Sequence, residues 1–156
     1  MSREEILKWA ADHRMFHLAP VEGDQPRVRV FGSAVVIDGK VYFTMGKGKD
    51  VYNQLVANPK TEMCSDDAEE GRQVRVSGVA LLVDDSAVWS EAFGQMPFIK
   101  SLADRRGLEN MALFRVGQAK AVVWTRETSS MPKQYVDLCR SIRGLLEELT
   151  WLASSD

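Results

Sequence analysis

The chain has little of what many catalytic and scaffold chemistries draw on. Its 156 residues hold two cysteines, Cys64 and Cys139, and two histidines, His13 and His17. The cysteines are far apart and neither has a CxxC partner or His-rich surroundings. Neither a disulfide framework nor a zinc site is indicated, and two reduced thiols in or near a core are expected. With so few histidines, His-based nucleophilic or metal chemistry has little to work with, and Ser33, Ser77 and Asp38 form no triad or nucleophile elbow. Long apolar runs are missing as well: no stretch approaches the ~20 residues of a membrane span. The opening MSREEILKWAADHR carries charges where a signal peptide needs an apolar centre, so a cytoplasmic protein is expected. An excess of one charge is also lacking, since 20 basic against 22 acidic side chains leave a net −2. That balance argues against a nucleic-acid partner and points to small molecules or other subunits. No internal repeat is visible, and the length suits a single domain over 1–156.

What is present reads as a helix, a run of strands and a closing helix. Ser2 and Glu5 match a capping box ahead of an apolar face of Ile6, Leu7 and Ala10. From Met15 the segments MFHLAP, PRVRVFGSAVVI and KVYFTM read as strands, separated by turns at Glu22–Asp24 and at Asp38-Gly39, the latter a strong hairpin signal. KTEMCS and RQVRVSGVALLV are two more strands, with an acidic loop from Asp66 to Gly71 between them. Asp85 or Ser86 can cap a helix carrying Val88, Trp89 and Phe93, and Pro97 and Gly107 mark breaks. MALFRV and AKAVVWT read as a last hairpin around Gly117. Leu138, Ile142, Leu145, Leu149 and Leu152 then stripe an amphipathic helix over 132–153, which packs on the barrel or on a neighbouring subunit. Six to seven antiparallel strands with short inserted helices predict a mainly β fold, a closed or partly closed barrel with peripheral helices.

The most informative stretch is YFTMGKGKDVYNQLVANP, Tyr42 to Pro59, a strand that passes through a glycine-lysine turn into a short helix ended by Pro59. Gly46 and Gly48 permit a tight turn whose N–H groups face a ligand, Lys47 and Lys49 bring charge to the helix mouth, and Asp50 can cap it. Two cations at a helix N-terminus oppose its dipole unless an anion lies between them. The spacing fits neither a P-loop nor a G-x-G-x-x-G fingerprint, so another phosphate ligand is expected. Arg27 and Arg29 alternate with Val28 and Val30, which at a strand period of two predicts guanidinium groups facing a ligand and valines facing the core.

GDQPRVRVF at Gly23–Phe31, DGKVYFTMGKGKDVYNQLVANP at Asp38–Pro59 and RQVRVSGVA at Arg72–Ala80 together resemble the pyridoxamine 5′-phosphate oxidase-like family of FMN-binding split barrels, over roughly residues 10–125. The resemblance implies FMN as cofactor and two subunits closing each site in a homodimer. It implies that Arg27, Val28, Arg29 and Val30 lie along the flavin. Phe43 and Thr44 would bring a strand end to its phosphate, with Lys49 and its helper Lys47 in the phosphate turn. Gln73, beside Arg75 on the same strand face, would meet the polar edge of the ring. The implied activity is that of a flavin-dependent oxidoreductase acting on a small molecule; a non-catalytic flavin-binding or stress-associated protein of the same fold is the alternative. No catalytic residue and no metal ligand is assigned. Family members that oxidise pyridoxamine phosphate grip its phosphate with a C-terminal basic motif, whereas this chain carries the leucine stripe from Lys133 to Ala153, so vitamin B6 oxidation is not expected.

Overall fold

The computed structural model describes residues 1–139. Helix α1 (Arg3–Asp12) begins with the expected capping box: the Ser2 hydroxyl accepts the Glu5 N–H at 3.2 Å and the Glu5 carboxylate accepts the Ser2 N–H at 2.6 Å. It buries Ile6, Leu7, Trp9 and Ala10 against the barrel. Arg3 fastens it there by donating to the carbonyls of Gly39 (3.1 Å) and Leu138 (3.2 Å).

Strand β1 (Phe16–Ala19) leads into a small hairpin, β2 (Val21–Glu22) and β3 (Gln25–Pro26), turned by Gly23 at φ +62°. The remaining elements are β4 (Arg29–Phe31), β5 (Val35–Ile37), β6 (Lys40–Gly46), α2 (Asp50–Ala57), β7 (Lys60–Asp67) and β8 (Arg72–Leu82). Helices α3 (Ser86–Gln95) and α4 (Pro97–Arg106) follow, then a 3-10 turn (Leu108–Asn110), β9 (Met111–Thr125) and β10 (Tyr135–Asp137). Asp38 and Gly39, at φ +48° and +68°, make the two-residue turn between β5 and β6. Asp85 caps α3 by accepting the N–H groups of Ala87 and Val88, Pro97 opens α4, and Gly107 at φ +86° closes it.

The sheet runs β4-β1-β7-β8-β9-β6-β5, all antiparallel, with β10 added to β9. Its two edges, β4 and β5, are consecutive in the chain. The link from Phe31 to Val35 spans at most ~14 Å, so the sheet has to curl until its ends nearly meet. At the seam Ser33 continues the β5–β6 register with its side chain: its hydroxyl donates to the Thr44 carbonyl (3.0 Å) and accepts the Thr44 N–H (3.2 Å). The result is a mostly β split barrel. Its interior is aromatic, with Phe43 stacked on Phe114 at 5.5 Å and Phe16 on Phe31 at 5.7 Å. Burying each such ring contributes ~1.5–3 kcal/mol. A second core packs Trp89, Ala92, Met96 and Ile99 of the α3–α4 layer against Val35, Tyr42 and Leu113. Among the described residues no helix is long and apolar enough to cross a membrane.

Four expectations are corrected. MALFRV and AKAVVWT are one 15-residue strand, β9, not a hairpin. Gly117 pairs with Val79, and the register slips between Ser77 and Val79 while Gln118 takes φ +51°, so the glycine marks a bulge in a continuing ladder. PRVRVFGSAVVI is broken twice: Arg27 and Val28 lie between β3 and β4, outside any strand, and at residues 32–34 the chain crosses from one edge of the sheet to the other. In the segment expected as a helix over 132–153, Tyr135–Asp137 is a strand, because the edge of β9 beyond β6 needs a backbone partner and residues 120–122 find it there; the part from residue 140 lies outside the described residues. Finally, Lys49 and not Asp50 is the N-cap of α2; Asp50 is its first residue.

Candidate functional site

Strand β6 is buried from Val41 to Met45 and delivers the chain to the barrel rim at Gly46. Neither Gly46 nor Gly48 has a positive φ, so the turn does not use left-handed backbone. A Cβ on Gly48 would meet nothing within 4 Å, so no surrounding protein atom requires glycine there. Lys49 accepts the Tyr52 N–H on its carbonyl at 3.0 Å but makes no side-chain capping bond, so no side chain of the cap residue covers the N–H groups that open α2. Lys47 and Lys49 are exposed and neither has a carboxylate partner among the described residues. A helix dipole, open N–H groups and two unpaired ammonium groups give this rim a positive potential.

The two lysines serve different walls. The Lys49 ammonium stands 5.4 Å from the centre of the Phe31 ring, above the strand that carries Arg29. The Lys47 N–H bonds the Asn110 carbonyl at 2.8 Å, and its side chain lines a cavity of about 680 Å³ walled by Tyr52, Trp89 and Phe93. Thr44, two residues before Gly46 on β6, is 2% exposed, and its hydroxyl has no hydrogen-bond partner. Leaving such a group unsatisfied costs about 1–3 kcal/mol, so β6 holds an orphaned donor shortly before the lysine turn. Phe43 is fully buried among the aromatic rings, and its side chain serves packing.

Arg27 is held by Glu22, Nε to Oε2 at 2.8 Å, and the same carboxylate accepts from Gln54 of α2 at 3.2 Å. These contacts, the Arg27 bond foremost and then that of Gln54, hold the Glu22 carboxyl below its usual range. Arg29 lies half-buried on the Phe31 side of β4. The expected valine face is corrected: Val28, which precedes β4, is 67% exposed, and Val30 within it is 58% exposed because the core side of this edge strand belongs to Arg29 and Phe31.

Gln73 sits elsewhere. It is half-buried on β8, flanked by Asp66 and Trp124, while Thr44 and Phe43 pair with Leu113 and Phe114 near the opposite end of β9. The ten residues from Phe114 to Trp124 amount to roughly 30 Å of strand. One chain therefore brings Thr44, Lys47 and Lys49 together at the rim, with Arg29 on the strand beneath Lys49, and leaves Gln73 remote. Ser33 was missed in the sequence: its place in the ladder depends on β6 lying alongside, and a serine in Gly-Ser-Ala gives no local sign of it. Among the described residues no cluster of His, Cys, Asp and Glu is suited to a metal ion.

No curated protein sequence matches the chain. Solved structures do. A NimC/NimA family protein from Clostridium acetobutylicum is 24% identical, covers 85% of this chain and 91% of its own, and superposes with a TM-score of 0.71. A FAD-binding protein from Mesorhizobium loti is 20% identical, with 80% and 96% coverage and a TM-score of 0.61. A heme storage protein from Vibrio cholerae is 21% identical, with 74% and 89% coverage and a TM-score of 0.58. At these identities the likeness is one of fold. The model of the pyridoxamine 5′-phosphate oxidase family matches residues 2–124, spanning α1, the lysine turn and nearly all of β9. The chain belongs to that family.

Proposed function

We propose that this protein binds FMN with its phosphate at the β6–α2 turn and acts as a flavin-dependent oxidoreductase on a small molecule. The observation that carries the reading is the unpartnered hydroxyl of buried Thr44 beside a helix mouth with no side-chain cap and two unpaired lysines. A phosphate dianion supplies acceptors for all three. Lys49 and the α2 N–H groups would hold the ester, and Arg29 on the neighbouring strand would add positive potential along the cofactor. FMN, when bound, supplies hydride and electron transfer. The remoteness of Gln73 supports a homodimer, in which Gln73 of a second copy reaches the ring end that the first copy leaves uncovered. The exposed Val30 on edge strand β4 and Val28 just before it fit the same arrangement, since apolar side chains there gain from being covered.

The test is the visible spectrum of the freshly purified protein, followed by identification of the chromophore released by heat. Flavin absorption and released FMN are expected. A Soret band, or a colourless protein that does not take up added FMN, overturns the reading. Turnover is then assayed with NADH or NADPH and small electrophiles, and flavin binding without turnover would assign the protein a non-catalytic role.

A further inference from the structure

The face of the barrel at the far end of β9 carries a second cationic site. Arg75 lies within β8, between Cys64 of β7 and Val122 of β9. Its side chain enters a cavity of about 180 Å³ formed with Val122, Trp124, Pro132 and Lys133. The Arg75 Nε is buried and has no hydrogen-bond partner. No carboxylate lies within ion-pairing distance of the guanidinium among the described residues, and no acidic side chain lines the cavity.

The wall opposite the sheet is built before any ligand arrives. Thr125 and Thr128 exchange hydrogen bonds, with the Thr125 N–H reaching the Thr128 hydroxyl at 3.0 Å and the Thr128 N–H reaching the Thr125 hydroxyl at 3.3 Å. Ser129 donates to the Arg126 carbonyl at 2.9 Å, and the Met131 N–H bonds the Thr128 carbonyl at 3.0 Å. These contacts occupy the hydroxyls of Thr128 and Ser129, so the other polar side chains lining the cavity are Arg75, Lys133 and the neutral Gln134. A cavity of about 150 Å³ accommodates benzene. The Arg75 cavity thus admits one ring with a small substituent and is too small for the three-ring flavin. A planar guanidinium matches the two oxygens of a carboxylate, and an indole with a proline gives the ring an apolar wall.

We infer that the Arg75 cavity is a binding site for a small single-ring carboxylate, held by Arg75 with Lys133 as an exposed second cation. The inference stands on this cavity alone and does not depend on which cofactor the β6–α2 turn holds. If the flavin reading also holds, the ring lies one strand alternation from Gln73 and so close to the electron-transfer centre.

Benzoate serves as the probe, titrated calorimetrically into the protein with whatever cofactor it carries, alongside benzamide as its uncharged counterpart. Saturable benzoate binding is expected, with benzamide much weaker. Arg75→Met should weaken benzoate roughly ten- to hundred-fold, Arg75→Lys less, and Lys133→Met least. The Trp124 indole resonance, assigned by its loss in Trp124→Phe, should shift on addition of benzoate. Should Arg75→Met fail to fold, the benzamide comparison and the indole shift on the unaltered protein decide. No saturable benzoate binding, equal affinity for benzamide, or an Arg75→Met variant that binds as tightly as the parent overturns the inference.

Discussion

The lysine turn and the Arg75 cavity are both cationic, but they are cationic in different ways. Lys47 and Lys49 stand in water at the end of a helix, where an ammonium without a partner is well solvated. In the proposed site, affinity for an anion would come from the sum of several weak features: two charges, open N–H groups, the helix dipole and one stranded hydroxyl. Arg75 has a donor already withdrawn from water with nothing to receive it, in a half-buried guanidinium that lines a cavity. The two regions occupy opposite ends of β9, and the glycine-lined bulge lies between them. Charge alone therefore does not distinguish a binding site from a solvated face. What the buried part of the charge lacks does distinguish it.

The largest expected effect strikes the joint between the two regions. A Cβ on Gly78 would lie 2.4 Å from the Gly117 carbonyl oxygen and 2.8 Å from Val116 Cγ1, and a backbone oxygen in a ladder cannot move aside. Gly78→Val should destabilise by about 3 kcal/mol or more, a fall in Tm of roughly 10 °C, measured by thermal unfolding. Unchanged stability would show that the bulge relaxes freely and that the two ends are less firmly joined than the ladder indicates.

Thr44→Val sharpens the comparison at the turn, because it removes the stranded hydroxyl with little change in shape. If that hydroxyl serves the phosphate, FMN affinity should fall several-fold, by the ~0.5–1.5 kcal/mol of an ordinary hydrogen bond or somewhat more for a charged acceptor, while the apo-protein becomes no less stable. Unaltered FMN affinity would remove Thr44 from the site. Salt separates the regions next. Exposed lysines are screened and a half-buried guanidinium much less so. FMN affinity should therefore drop more steeply than benzoate affinity between low and high ionic strength, and equal slopes would erase the distinction.

The smallest effect concerns the strap joining the β2–β3 hairpin to α2. Arg27, and next Gln54, hold the Glu22 carboxyl below its usual range. A depressed carboxyl contributes stability that is present above its unfolded value and lost as pH falls through its folded value. The Tm difference between the parent and Arg27→Ala should thus be largest near neutral pH and shrink on acidification to about pH 3. A difference independent of pH would mean that Arg27 acts through packing and not through Glu22.

Much of this fold could be read from local sequence because its signals act within a few residues. The Ser2–Glu5 capping box, the Asp38-Gly39 turn, the Asp85 cap and the helix stop before Pro59 each need only near neighbours, and each is found in place. The misreadings involve partners distant in sequence. Gly117 looks like a hairpin turn until β8 is laid alongside it and the register slip appears. Val28 and Val30 alternate in sequence as a core face should, yet the strand begins only at Arg29, and which of its sides meets the core depends on β1, where Phe31 and Arg29 hold the inward positions. Tyr135–Asp137 falls within the helix expected over 132–153, but the open edge of β9 claims its backbone. At the candidate site the lysines, Thr44 and the helix mouth were legible as one run. The division of Lys47 from Lys49 was not, because it depends on Asn110 and Phe31, which lie 63 residues after the one and 18 before the other.

The most direct test of the central claim is an FMN titration of the flavin-free protein beside Lys49→Ala, followed by flavin fluorescence or calorimetry. Loss of a charge-assisted contact of ~1.5–3 kcal/mol predicts roughly ten- to hundred-fold weaker FMN binding with the melting temperature of the apo-protein essentially kept. Full FMN affinity in Lys49→Ala would contradict the account, because it would place the phosphate somewhere other than the turn between β6 and α2.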